Sequence, residues 1–126
     1  MSQEQRRVLI VDDDQAVGQV LEHYFAPRGF SVAMAFSGEQ ALARLQEGAF
    51  DVVLIDILLP GIHGIEVLKQ AKQRFPHVKV AMISGLEDDE LRAKARVHGA
   101  DAYVAKPFDF SDPVWSALAG SALRSS

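Results

Sequence analysis

Short apolar runs alternate with amphipathic stretches along the whole chain. Residues 8–11 (Val-Leu-Ile-Val) and 52–55 (Val-Val-Leu-Ile) are unbroken apolar runs dominated by β-favouring side chains. They are too short for helices and apolar at every position, the pattern of strands buried on both faces of a parallel sheet. Residues 31–36, 78–83 and 102–105 read as three further strands. Between the runs the spacing shifts to the helical period. Val17, Val20, Leu21 and Tyr24 form one buried stripe, and Ala41, Leu42 and Leu45 a second. Ile65, Leu68, Ala71 and Phe75 form a third, and Leu91, Ala95 and His98 a weaker fourth. A fifth helix is expected from Pro113 toward Leu123, weakened by Gly120 in its interior.

The residues between these stretches mark where each helix starts and stops. Asp14 is placed to cap the first helix. Ser37 opens Ser-Gly-Glu-Gln, a capping-box pattern with Gln40 at the third helical position. Asp88, Asp89 and Glu90 put acids at a helix start, where the macrodipole favours them. Asp112-Pro113 is an N-cap followed by proline at the first helical position. Pro27 with Gly29, then Gly48, Pro76 and Gly99, close the first four helices. Five strands strictly alternating with five helices predict an α/β fold, a doubly wound five-stranded parallel sheet with helices on both faces. Right-handed crossovers leave a few topologies. The flavodoxin-like order 2-1-3-4-5 leads, because strands 1 and 3 then flank the switch point.

The 126 residues suffice for one domain with its own core, and no repeat, low-complexity segment or linker divides them. One domain over residues 1–126 is expected, with its core at about 8–123 and no output domain within the chain. The net charge of −4 provides no basic footprint, so no direct nucleic-acid binding is expected. The lack of cysteine excludes a disulfide framework, a thiolate zinc site and a thiol nucleophile. His23, His63, His77 and His98 lack ligand spacing, and His63 reads as a solvated loop residue. No apolar run reaches membrane-spanning length, and residues 1–7 carry no signal-peptide pattern. A cytoplasmic protein without membrane contact is expected.

Candidate chemistry gathers at the strand ends. Asp12 and Asp13 follow the first strand, Asp56 the third, Ser84 the fourth and Lys106 the fifth. Ligands of open α/β sheets bind outside the carboxyl ends of the strands. In this fold all four ends open onto one edge. Asp56 alone would read as a turn or cap residue, but it has company. Close carboxylate pairs repel by about 4 kcal/mol at roughly 4 Å and an effective dielectric near 20. One lysine does not offset that, whereas a divalent cation does, and an all-oxygen cluster suits Mg²⁺. Its open coordination positions suit a phosphoryl oxygen. Asp56 is then the candidate nucleophile, with Lys106 and the Ser84 hydroxyl holding the other phosphoryl oxygens.

Four motifs stand in order on these elements: the acidic pair after strand 1, Asp-x-x-x-Pro-Gly-x-x-Gly after strand 3, Ser-Gly after strand 4, and Gly-Ala-Asp-Ala-Tyr-Val-Ala-Lys-Pro-Phe across strand 5. Together they resemble the response-regulator receiver domain, the phosphoacceptor module of two-component signalling. The resemblance covers essentially the whole predicted core. It implies that Asp56 accepts a phosphoryl group from a sensor histidine kinase or phosphotransfer protein. It implies Mg²⁺ held by Asp12, Asp13, Asp56 and the backbone carbonyl of Leu58. Ser84 matches the switch hydroxyl, Lys106 the phosphate-pairing lysine with a cis bond to Pro107, and Tyr103 the rotating aromatic switch. The face of helix 4, strand 5 and helix 5 would then change affinity for a downstream effector protein or domain. Such a module is a switch that catalyses only its own phosphorylation and dephosphorylation.

Without the resemblance, Tyr103 reads as a half-buried strand aromatic, and Arg92, Lys94 and Arg96 as a solvated helix face. Ser84 stands where threonine is commoner in the family, and Leu59 where methionine is. Leu58 and Leu86 are apolar where relatives often carry polar side chains, which bears on phosphoryl lifetime. Haloacid-dehalogenase-type phosphatases also use a strand-end aspartate but need a second one two residues on, where this chain has Leu58. Neither a P-loop nor a dinucleotide-binding glycine pattern occurs. A degenerate receiver that only binds partners is disfavoured by the presence of every site residue.

Overall fold

The computed structural model describes residues 5–85 and 87–120. These form β1 (Arg6–Val11), α1 (Gln15–Phe25), β2 (Phe30–Ala35), α2 (Gly38–Glu47) and β3 (Val52–Asp56). They continue with α3 (Gly64–Arg74), β4 (Lys79–Ser84), α4 (Asp89–Val97), β5 (Ala102–Ala105) and α5 (Pro113–Ala119). The strands make one parallel sheet in the order β2-β1-β3-β4-β5, the flavodoxin-like arrangement expected.

Strand side chains alternate between faces, so a strand sandwiched between helices has to be apolar throughout. Leu9, Val11, Val53, Ile55, Val80 and Met82 point to one side, among Ala41 and Leu45 of α2, Leu68 and Ala71 of α3 and Ala95 of α4. Val8, Ile10, Val52, Leu54, Ala81 and Ile83 point to the other, among Leu21 and Phe25 of α1 and Trp115 and Leu118 of α5. Every residue of β3 is buried, while the edge strands β2 and β5 are covered only in part. The second face is rich in rings. Phe25 meets Phe30, Tyr24 and Trp115 edge to face, and Tyr24 stacks on Phe110 at 5.1 Å.

The element ends are set by contacts that apolar spacing does not report. β1 begins at Arg6, before the apolar run, because Arg6 and Arg7 pair in register with β2. Their guanidinium groups lie over the rings of Phe30 and Phe50 at 4.2 and 4.4 Å. β2 and β4 are each displaced by one residue from the predicted spans, to Phe30–Ala35 and Lys79–Ser84. Between α1 and β2 lies a 3₁₀ turn (Ala26–Arg28), and Gly29 follows at φ 92°, a left-handed conformation that suits glycine.

The caps fall mostly where the sequence places them. Asp14, Asp88 and Asp112 each accept backbone N–H groups at the starts of α1, α4 and α5. Ser37 Oγ accepts from the Gln40 N–H at 3.1 Å, while Gln40 Oε1 accepts from Phe36 N–H rather than from Ser37. The reciprocal bond of the capping box is thus displaced by one residue. His63 is exposed, as expected of a loop residue, yet its Nδ1 caps α3 by accepting from the Ile65 N–H at 3.1 Å. Gly120 is the C-cap of the described part of α5, and Leu123 lies outside the described residues.

Phe25 is fully buried where α1, β2 and α5 meet. Phe25→Ala should destabilise the domain by about 3–5 kcal/mol through lost burial and the cavity left behind. Urea unfolding followed by Trp115 fluorescence measures it. A loss below about 1 kcal/mol would mean that this junction collapses to fill the gap.

Candidate functional site

Parallel strands with right-handed crossovers deliver all their carboxyl ends to one edge. Backbone hydrogen bonds fix how far each strand end reaches there. Asp12 N–H donates to Ala35 O at 3.0 Å, Ile57 N–H to Ile83 O at 2.9 Å, and Lys106 N–H to Ser84 O at 2.9 Å. The sheet register therefore aligns the ends of β1, β3, β4 and β5. Lys106-Pro107 is a cis peptide bond, as expected.

Asp12, Asp13 and Asp56 meet at this edge, each with a carboxylate oxygen within 4.8 Å of the others. Asp12 is 2 % and Asp56 8 % exposed, whereas Asp13 faces solvent. At about 5 Å and an effective dielectric near 20, two ionised carboxylates repel by about 3 kcal/mol, with water screening the exposed one further. Lys106 Nζ stands 3.0 Å from Asp12 Oδ2 and 3.3 Å from Asp56 Oδ2. The Asp56 contact is a hydrogen bond. The Asp12 contact is shorter but less well aligned, and holds the buried Asp12 Oδ2 as an ion pair. One ammonium facing three carboxylates leaves the cluster with excess negative charge.

Each oxygen of Asp56 has its own partner. Oδ1 accepts from the Leu58 N–H at 3.0 Å, and Oδ2 faces Lys106. Burial raises the Asp56 pKa, helped by the nearby Asp12 charge, while the Leu58 N–H and Lys106 oppose the rise. The Lys106 pKa is raised despite its partial desolvation, because Asp12 and Asp56 both favour the ammonium. An all-oxygen cluster of three carboxylates with excess negative charge fits a hard divalent cation such as Mg²⁺.

The other predicted residues are also placed. Ser84 is 1 % exposed at the end of β4. Leu58 is 49 % exposed, and Leu86 lies outside the described residues. Tyr103 is half-buried on β5, and its hydroxyl has no hydrogen-bond partner among the described residues. The Arg92 guanidinium lies 4.7 Å from the Tyr103 ring centroid. Arg92 therefore covers an aromatic ring, a role that its place in a charged run concealed. Gly64, the last glycine of the motif after strand 3, has a packing role at the start of α3 that the motif alone does not reveal. A side chain there would collide with the Asp56 carbonyl and the Ile57 backbone, so only glycine lets α3 approach the strand end so closely. Its signal was the second glycine of Gly-x-x-Gly.

A doubly wound five-stranded sheet with an acidic cluster and a lysine at its carboxyl edge defines the class of CheY-like, flavodoxin-fold receiver domains. Residues 8–114 match the response regulator receiver domain family, and the chain belongs to it. The chain is 37 % identical over 100 residues to the uncharacterized transcriptional regulatory protein YcbL of Bacillus subtilis (strain 168), a match covering 79 % of this chain and 44 % of YcbL. It is 37 % identical over 107 residues to the DNA-binding transcriptional regulator NtrC of Salmonella typhimurium, covering 85 % of this chain and 23 % of NtrC. The chain thus spans less than half the length of these curated relatives. A CheY-like receiver domain protein from Methanospirillum hungatei JF-1 aligns with a TM-score of 0.83 at 30 % identity, over 91 % of this chain and 94 % of that one. Among the described residues no helix is long and apolar enough to cross a membrane.

The Asp56 pKa carries a signature in stability. The group titrates near 3.8 when unfolded and higher when folded, so the fold favours its protonated form. That contribution is fully present below pH 3.8 and is lost as pH rises through the folded value. In EDTA, Asp56→Asn should therefore gain stability relative to the native chain as pH rises from about 3 to 7. Urea unfolding of both proteins across that range reads the difference. A difference independent of pH would show that burial does not perturb Asp56.

Proposed function

We propose that this receiver domain is a phosphorylation switch in which Asp56 is the acceptor. The observation that carries the reading is the Asp56 carboxylate itself. It sits at the buried end of β3, between the Leu58 N–H and the Lys106 ammonium, beside Asp12 and Asp13. Family membership implies a histidine kinase or phosphotransfer partner upstream and an effector downstream. In the transfer, one Asp56 oxygen attacks phosphorus in line, forming a new O–P bond. The P–N bond to the donor imidazole breaks, and the imidazole departs with the bonding pair.

The chain's own groups fit this step. The Leu58 N–H orients the carboxylate, holding one oxygen while the other faces the cleft. Lys106, already between Asp12 and Asp56, exchanges a carboxylate oxygen for a phosphoryl oxygen. Ser84, at the neighbouring strand end, supplies a hydroxyl for another phosphoryl oxygen. Asp12, Asp13, Asp56 and the Leu58 carbonyl would hold Mg²⁺, which neutralises charge on the transferring group when bound. Phosphorylation then replaces the Lys106–Asp56 contact, and the change reaches β5, where Tyr103 sits beside Arg92 of α4. The face of α4, β5 and α5 is the proposed output surface.

Incubation with acetyl phosphate and Mg²⁺ should add one phosphoryl group to the intact mass, labile to acid. Asp56→Asn should abolish the gain. Undiminished labelling of that variant would remove Asp56 from the reaction.

The exposed Leu58 side chain adjoins Asp56 and offers an incoming water no hydrogen bond. A comparatively long-lived phosphoaspartate is therefore expected. Leu58→Asn supplies a polar group, and orienting the water is worth about 1–2 kcal/mol, or roughly tenfold in hydrolysis rate. Phosphate release at saturating Mg²⁺ measures it. Equal rates in the variant and the native chain would show that Leu58 does not limit water access.

A further inference from the structure

The loop between β3 and α3 carries Leu58, whose N–H holds Asp56, so the position of this loop sets the site. Its own side chains anchor it partly. Ile57 and Leu59 are buried, and Ile62 packs against the same core cluster. A second support comes from an element outside the site. The first residue of α2, Gly38, lies directly against Ile62. A Cβ built on Gly38 would stand 2.6 Å from the Ile62 carbonyl oxygen and 2.7 Å from Ile62 Cβ. The neighbouring Glu39 carboxylate extends the contact, lying 2.7 Å from where Gly61 would carry a Cβ. Gly61 itself has φ 76°.

We infer that Gly38 is a positioning residue, a notch at the start of α2 in which Ile62 sits and which sets where the Asp56–Leu58 segment lies. Helix propensity argues for alanine in a first helical turn, so the glycine is not there to serve the helix. The atom that an added methyl would meet is a backbone carbonyl, which cannot swing aside as a side-chain tip does. The collision is relieved only by moving the loop or the end of α2. Gly18 provides the contrast, because a Cβ there would stand 2.9 Å from Met34 Sδ, part of a flexible thioether. The tight contact at Gly18 can therefore be relieved without moving backbone, whereas the one at Gly38 cannot.

Part of this inference rests on the proposed metal and phosphoacceptor roles, and part does not. Gly38→Ala should shift the backbone amide resonances of residues 57–64 in metal-free protein. It should also weaken Mg²⁺ binding about tenfold by calorimetric titration, as changes that reorient a ligand without touching the ion do. Gly18→Ala should do neither. Whereas alanine at position 62 would keep both the carbonyl and the Cβ that face Gly38, Ile62→Gly takes the Cβ out of the notch without adding atoms. It should likewise perturb the loop amides and weaken Mg²⁺, which keeps the test decisive if Gly38→Ala does not fold. If Gly38→Ala folds and leaves both the loop amides and Mg²⁺ affinity within twofold of the native chain, the inference is overturned. The same follows if Ile62→Gly leaves them unchanged. Failure of the native chain to bind Mg²⁺ would instead remove the proposed metal site, and the metal-free amide shifts would still decide the role of Gly38.

Discussion

All five strands run in one direction with the inner strands β1, β3 and β4 covered on both faces, and this constraint governs the rest of the molecule. Burial on both faces demands apolar residues through the middle of each inner strand, which leaves only the ends of β1, β3 and β4 for a polar functional group. Polar residues are displaced to the strand ends. Because the strands are parallel, the carboxyl ends arrive together. Asp12, Asp56, Ser84 and Lys106 thus come from four separate segments and share one edge without any local sequence contact.

The juxtaposition has an electrostatic cost. Asp12 and Asp56 are nearly buried, and each other's charge together with desolvation works against ionisation of Asp56. Lys106 offsets part of this by bridging the two, but one ammonium does not balance three carboxylates. A site incompletely satisfied in this way favours whatever brings positive charge or new donors to it. The proposed cation and phosphoryl group do that from opposite sides: the ion meets the excess carboxylate charge, and the phosphoryl group gives Lys106 a new partner. A fully compensated pocket would have no such response to offer.

Holding the acidic edge in register falls to close backbone packing as much as to side chains. Gly64 lets α3 begin against the Asp56 carbonyl, and Gly38 lets α2 begin against the far end of the same loop. Ile57 and Leu59 point inward while Leu58 points out, so the loop is anchored on alternate residues with its exposed side chain next to Asp56. His63 completes the arrangement by capping α3. These contacts join α2, β3 and α3 into one support beneath the acidic edge.

The sequence by itself determined the element types, their order and the residues at the strand ends. Those features are local: an apolar run of four residues, a helical stripe, a cap residue before it. Asp14 and Asp112 could be read as caps because the bond each makes spans two residues, whereas Asp88 read only as one of three acids at a helix start. Its limits appear where a contact is long-range. β1 extends back to Arg6 because Arg6 and Arg7 pair with Phe30 and Ser31 of β2, and the capping-box glutamine accepts from Phe36 rather than from Ser37. Arg92 is exposed, as a solvated helix face implies, but its contact with the Tyr103 ring follows only from the placement of β5. Gly38 read only as part of a cap until Ile62, which follows it by more than twenty positions, was seen to fill its missing side chain. The strand-end acids could be named from the sequence, but only the sheet register decided that Lys106 stands between Asp12 and Asp56. Coulomb forces depend on distances in space, and those are set by packing rather than by position along the chain.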